Sequence, residues 1–194
     1  MGNKSIQKKN YIIEKANHVF VKKGFRSVTM KDIVEACDIS RGGLYLYFDS
    51  TESIFRAVLE AESAKVDPGL ARKLSDKPTN NDILTLFFYE QKKAILERRG
   101  SLLVAMYEYS FEQHENKEKT LLSNQMDASV KFLEDILKKG TEAGEFSVDD
   151  HRLMAQNIVY TLEGMKLMSR TSFLNEEDVN NQLVLIMKSI LPKN

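Results

Sequence analysis

The chain carries few built-in constraints. Its 194 residues include one cysteine, Cys37, and three prolines, Pro68, Pro78 and Pro192. A lone cysteine forms no internal disulfide, and an isolated thiol suits a reducing, cytoplasmic setting. No apolar run approaches the ~20 residues a membrane span needs. The opening stretch MGNKSIQKKNYIIEKAN is basic and polar, without the apolar centre of a secretory signal. Gly2 follows Met1, but Ile6 stands where a myristoylation motif needs Ser or Thr. His18, His114 and His151 are scattered, and no His/Cys/Asp/Glu group has metal-ligand spacing. There is no phosphate loop, nucleophile elbow or Ser/His/Asp arrangement. The expectation is a protein that is not an enzyme, with no catalytic residue, no metal, no cofactor and no membrane partner.

What is present is charge, unevenly placed. The net charge is zero, yet residues 1–48 hold 9 Lys/Arg against 4 Asp/Glu, and residues 49–194 hold 19 against 24. A basic first quarter on an acidic remainder suggests a polyanion-binding module joined to a different kind of body.

The periodicity is helical almost throughout, with no alternating strand pattern of useful length. Ile12, Ile13, Ala16, Val19 and Phe20 give one apolar face to a helix from about Ile6 to Lys23, closed by Gly24 as a C′ glycine. Thr29 caps a short second helix that ends at Asp38, a residue tolerant of the left-handed turn. Ser40 caps a third helix and Ser50 a fourth. The stretch DPGLARKLSDKPTNND reads as a loosely structured connection. Five further helices follow, over about 80–98, 101–115, 117–143, 149–172 and 176–191, the last capped by Asn175. The predicted fold is all-α, about nine helices. Residues 1–48 form the N-terminal three-helix domain and 49–194 the C-terminal one, with helix 49–66 connecting the two.

Helices two and three, joined by a three-residue turn, make a helix-turn-helix. Such a motif lays its second helix in the DNA major groove, N-terminal residues at the base edges. Ile39 and Leu44 pack the pair, leaving Arg41, Gly42, Gly43, Tyr45 and Tyr47 on the opposite face. Glycines at a helix start let backbone approach DNA closely, and the exposed amides there favour phosphate. Arg41 is suited to guanine or phosphate. Tyr45 and Tyr47 offer hydroxyls to phosphate and rings to sugar or thymine methyl.

Residues 10–59 resemble the N-terminal domain of TetR-family transcriptional regulators. Gly24, Phe25, Thr29, Ile33, Ile39, Ser40, Gly42, Tyr45, Tyr47, Phe48, Ser50 and Glu52 stand in register with that family's pattern. The stretch LKKGTEAGEFSVDDHRLMAQNIVYTLEGM is similar to the family's usual junction before its dimerising helices. Val34 and Cys37 replace small residues of the pattern, Asp38 replaces the turn glycine, and Thr51 replaces a lysine that in many members touches phosphate. The resemblance implies that Thr29 also touches phosphate. It implies a repressor that binds a palindromic double-stranded DNA operator as a homodimer and is released by a small hydrophobic effector held in the C-terminal domain. The DNA-binding set is thus Thr29, Ser40, Arg41, Gly42, Gly43, Tyr45, Tyr47 and Thr51.

The later helices fit that plan. LVLIM, Leu183–Met187, is apolar around its whole circumference, and such a helix is buried on two sides. The family's dimer, a four-helix bundle from the last two helices of each subunit, accounts for this, with Ile158, Gly164, Met168, Val184 and Met187 at the interface. Phe88, Met106, Tyr109, Met126 and Tyr160, among the large adaptable residues of the middle helices, are the candidates for the effector pocket. Glu90, Glu108 and Glu112 lie among the aromatics and read as a solvated face or as partners of a cationic ligand. Two other functions stay open on the residues alone: a nonspecific or architectural DNA binder, and a helical protein-interaction module.

Overall fold

The computed structural model describes residues 3–63, 77–97, 101–115, 120–171 and 174–192. These residues hold nine helices and no strand. They are α1 (Asn3–Lys23), α2 (Met30–Cys37), α3 (Arg41–Tyr45), α4 (Thr51–Ser63), α5 (Asn80–Leu96), α6 (Leu103–Glu115), α7 (Leu121–Glu142), α8 (His151–Thr171) and α9 (Glu176–Ile190). The Pro68–Pro78 connection predicted from the sequence lies almost wholly outside the described residues.

The helices belong to two compact units. One takes the described residues of Met1–Asp67 and Gly100–Thr120, so it contains α1–α4 and α6. The other takes those of Pro68–Arg99 and Leu121–Asn194, with α5, α7, α8 and α9.

In the first unit, Ile12, Ala16 and Phe20 recur every four residues on α1 and are fully buried. They meet Ile33 and Cys37 of α2, Leu44 of α3, and Ile54, Phe55 and Val58 of α4. The centre is aromatic. Phe55 stands 4.7 Å from Phe20, 5.0 Å from Phe25 and 5.3 Å from Tyr109 between ring centroids, all tilted or edge-on, the arrangements the ring quadrupole favours. Gly24 closes α1 at φ 77°, a conformation that penalises any side chain, and its amide donates to the Phe20 carbonyl. α2 starts in a full capping box between Thr29 and Asp32. It ends with Asp38 left-handed at φ 51°, as its place in the turn predicts.

In the second unit the core is mostly aliphatic. Leu84 and Ile95 of α5, Leu133 and Leu137 of α7, Ala155 and Ile158 of α8, and Val179 and Ile190 of α9 are fully buried. Two polar ties close the connection between α7 and α8. The Glu145 carboxylate accepts from the Asn81 amide at 2.8 Å and the Asn80 side chain at 3.0 Å, and the Ser147 amide donates to the Ile190 carbonyl at 2.7 Å. Capping boxes at Thr79 and Asn175 start α5 and α9. The apolar run Leu183–Met187 divides in two: Leu183 and Ile186 face this core, while Val184 and Leu185 are 50% and 61% exposed.

Candidate nucleic-acid interface

Ser40 caps α3 by accepting from the Gly43 amide at 3.1 Å. Leu44 beneath is fully buried and Ile39 packs on the same core. That anchoring turns Arg41, Gly42, Tyr45 and Leu46 outward. Arg41 lies over the Tyr45 ring at 5.6 Å, a cation–π contact that holds the guanidinium along the exposed face. Tyr47 and Gly43 are half-buried at the edge of this surface, and Phe48 returns to the core. A Cβ at Gly42 would meet nothing within 4 Å, so the protein itself has no packing reason for glycine there.

Two of the sequence candidates are committed in different ways. The Ser40 hydroxyl oxygen receives the cap bond, and its own proton is left to donate. Thr29 differs: its amide and its hydroxyl both donate to the Asp32 carboxylate, each at 2.8 Å. While that cap stands, Thr29 has lone pairs but no proton for a phosphate. Asp32 is held down to about 2 by Lys23, which donates to it, and by the Thr29 amide and hydroxyl. Thr51 is half-buried at the start of α4, where the Ser53 amide donates to the Ser50 hydroxyl.

Leu46 is absent from the sequence candidates, yet it is 83% exposed, beside Tyr45. An apolar side chain so far from any core fits a thymine methyl. Its helical offset from buried Leu44 is the available signal, since two positions on turns a side chain about 200° around.

Behind this surface, α6 contributes what the sequence did not reveal. Glu108 accepts from the amides of Phe25 at 2.6 Å and Arg26 at 3.0 Å, fixing the turn that leads into α2. It fills the space beside Gly24, where a Cβ would sit 2.5 Å from its Oε2. Next to it, the Tyr109 hydroxyl donates to Glu52 at 2.9 Å and accepts from Arg56 at 2.8 Å, reaching the first turns of α4. Burial, then the bond to Glu52, pushes the Tyr109 phenol up, while the bond to Tyr109 raises Arg56 further.

The candidates for the effector pocket do not fall in one place. Tyr109 is buried and Met106 half-buried in the first unit. In the second, Phe88 is buried in the core and Tyr160 is 58% exposed. Met126 lines a cleft of about 60 Å³ with Phe87, Gln125, Val159, Glu163 and Lys166. Lys166 pairs with Glu163 at 2.7 Å on its wall. Of the dimer candidates, Ile158 is fully buried in its own core and Met187 half-buried, while Gly164, Met168 and Val184 are exposed. Leu153, Tyr160 and Leu167, spaced by seven residues, extend that exposed face along α8.

Two family profiles cover most of this architecture. Residues 12–58 match "Bacterial regulatory proteins, tetR family", and residues 83–182 match "Tetracyclin repressor-like, C-terminal domain".

The chain belongs to the TetR family.

It is therefore a transcriptional regulator, as the helix-turn-helix and the resemblance predict. Among similar TetR-family proteins is the regulator YfiR of Bacillus subtilis, 35% identical over 139 residues, which are 70% of this chain and 66% of that protein. The regulator QacR of Staphylococcus aureus is 22% identical, over 93% of each chain. A TetR-family regulator from Cytophaga hutchinsonii shares the fold with a TM-score of 0.76 at 22% identity, over the full length of both chains. The family is one of regulatory DNA-binding proteins. No helix among the described residues is long and apolar enough to cross a membrane.

Proposed function

We propose that the protein is a dimeric, cytoplasmic, non-enzymatic repressor that grips a palindromic operator and lets go when a small hydrophobic molecule enters its C-terminal domain. The observation that carries the DNA half is the outward set Arg41, Gly42, Tyr45 and Leu46, anchored from beneath by buried Leu44. In this reading Arg41 meets a base edge. Ser40, Tyr45, Tyr47 and Thr51 hold phosphate, and Gly42 and Gly43 admit the backbone close to the duplex. Near Thr29 the work passes to the Met30 and Lys31 amides of the first turn of α2, since the Asp32 amide is taken by the Thr29 hydroxyl.

A helix-turn-helix needs two copies to span successive grooves. The exposed apolar faces of α8 and α9, with Gly164 permitting close approach, suit that association. The cleft against Met126, at about 60 Å³, is smaller than the ~300 Å³ of a typical ligand pocket, so a drug-sized effector has to widen it. That widening is the lever by which occupancy shifts the population away from the DNA-gripping form.

Selection of random duplexes by the purified protein at fixed salt tests the reading. A two-fold symmetric consensus is expected. Tight binding without any consensus would reduce the protein to a nonspecific binder. Arg41→Ala should cost about 1–3 kcal/mol and relax preference at one base position, whereas Tyr47→Phe should weaken all sequences alike.

A further inference from the structure

Two groups of lysines in the first unit differ in what they face. Lys23 pairs with Asp32 at 2.5 Å, and Lys31 pairs with Glu35 at 3.7 Å. Lys8, Lys9 and Lys15 of α1 are different. Among the described residues, none of their ammonium groups has a carboxylate within ion-pairing distance, although Glu14 is their neighbour in sequence. They face aromatic rings instead. Lys8 and Lys15 stand 5.3 and 5.6 Å from the Tyr11 ring centroid, and Lys9 stands 5.4 Å from that of Phe48.

The arrangement is a helical stripe. Lys4, Lys8, Tyr11 and Lys15 follow the offsets i, i+4, i+7 and i+11, so they share one face of α1. Like charges four apart cost an isolated helix a few tenths of a kcal/mol. Lys4 and Lys8 are such a pair, and a face that adds Lys15 without a neutralising carboxylate is better suited to a polyanion than to water. The stripe is also fixed to the helix-turn-helix. The Tyr11 hydroxyl donates to the Cys37 carbonyl at 3.3 Å, at the end of α2 and three residues before the α3 cap. Burial pushes the Cys37 thiol up, and the fields of Lys8 and Lys15 oppose it, which places both ammonium groups close to that turn. Lys9 flanks the other side of the motif through Phe48, just beyond α3.

We infer that Lys8, Lys9 and Lys15, steadied by Tyr11 and Phe48, are a second DNA-backbone grip that holds phosphates outside the base pairs met by α3. This rests on the DNA-binding reading above. It assigns to α1 a sequence-independent share of affinity, while Arg41 and its neighbours keep the sequence preference.

The test is the salt dependence of binding by the full chain, on a selected duplex and on one of random sequence, between about 50 and 200 mM KCl. Removing one phosphate-binding ammonium lowers the slope of log K against log salt by about 1 per protomer engaged. The triple variant Lys8→Gln, Lys9→Gln, Lys15→Gln should flatten the slope by about 2–3 per protomer on both duplexes and leave the consensus unchanged. Lys138→Gln with Lys139→Gln, exposed on α7 of the other unit, removes the same kind of charge outside the unit that carries the motif and should leave the slope alone. Circular-dichroism melting checks folding, and the single variants Lys8→Gln and Lys15→Gln serve if the triple variant unfolds. Wild-type binding with an unaltered slope in the variants, or an equal flattening in the α7 control, overturns the lysine grip alone. Wild-type protein that binds neither duplex overturns the regulatory reading itself, and this inference with it.

Discussion

In the unit of α1–α4 and α6, residues far apart in sequence meet through charged hydrogen bonds at Glu108 and at Tyr109, Arg56 and Glu52. In the unit of α5 and α7–α9, Glu145 likewise ties Asn80 and Asn81 and Lys92 pairs with Glu176 at 2.7 Å, but the aliphatic packing leaves a small cleft beside Met126 and an apolar face exposed on α8 and α9. The two units differ in what they leave open. A carboxylate that accepts from two specified amides holds one geometry, because the part-buried Phe25 amide is costly to leave unpaired. Aliphatic packing of roughly the right volume tolerates rearrangement at small cost. In the proposed reading, the surface that matches base edges is backed by such a carboxylate, and the cleft beside Met126 is where a small molecule enters.

The largest expected effect lies in the hydrocarbon unit. Leu133→Ala removes a fully buried side chain and should lower the unfolding free energy by about 3 kcal/mol, read by urea denaturation. A loss below about 1 kcal/mol would show a core that closes around the gap, sharpening the contrast with the other unit.

Gly24→Ala probes the polar unit. The new Cβ has to adopt φ 77° and meet the Glu108 carboxylate, so about 2 kcal/mol should be lost. Glu108→Ala should cost a similar amount by orphaning the part-buried Phe25 amide. Because the two changes act on one contact, the double variant should fall short of their sum. Strict additivity would deny that Glu108 fixes this turn.

A smaller effect follows from acid. The Asp32 carboxyl titrates near 2 in the folded protein against a usual 3.8, chiefly because Lys23 and Thr29 donate to it. A depressed folded value means that its contribution is complete above pH ~4 and drains away as pH falls towards ~2. After solvent screening this is about 1 kcal/mol. Asp32→Asn should abolish that part of the acid sensitivity, and an unchanged acid limb in thermal melts would assign it to other carboxylates.

The smallest effect on the fold is expected at Gly42. Its Cβ direction is empty, so Gly42→Ala should leave stability within about 0.5 kcal/mol. Operator affinity should nonetheless fall by about tenfold as the methyl meets DNA. Equal affinity would remove the close-approach role from this glycine.

Local chemistry is legible in the sequence. The caps at Thr29, Ser40 and Asn175, the left-handed Asp38 and the α1-ending Gly24 each depend on residues within one turn, and each stands where the residue types put it. The all-α fold follows from periodicity alone. Glu108 is not legible: the amides it holds lie 82 and 83 residues away, and no helical spacing links them. Tyr109 joins the pocket candidates only through its place in an aromatic stretch. Its ring in fact packs against Phe25 and Phe55, and its hydroxyl is committed to α4, relations only tertiary folding creates. Leu46 escapes because an apolar residue in an apolar run reads as core until its neighbour Leu44 is seen to hold the buried side.

The membership of α6 has a consequence for how this protein can be taken apart. The chain enters the first unit, leaves it after residue 67, returns at residue 100 and leaves again after 120. A recombination crossover placed after α4 would carry off a DNA-reading head without Glu108 and Tyr109, and so without the supports of its first turn and of α4. Such a head should graft poorly onto another body. A transferable head would have to carry α6 with it, as a second stretch of chain.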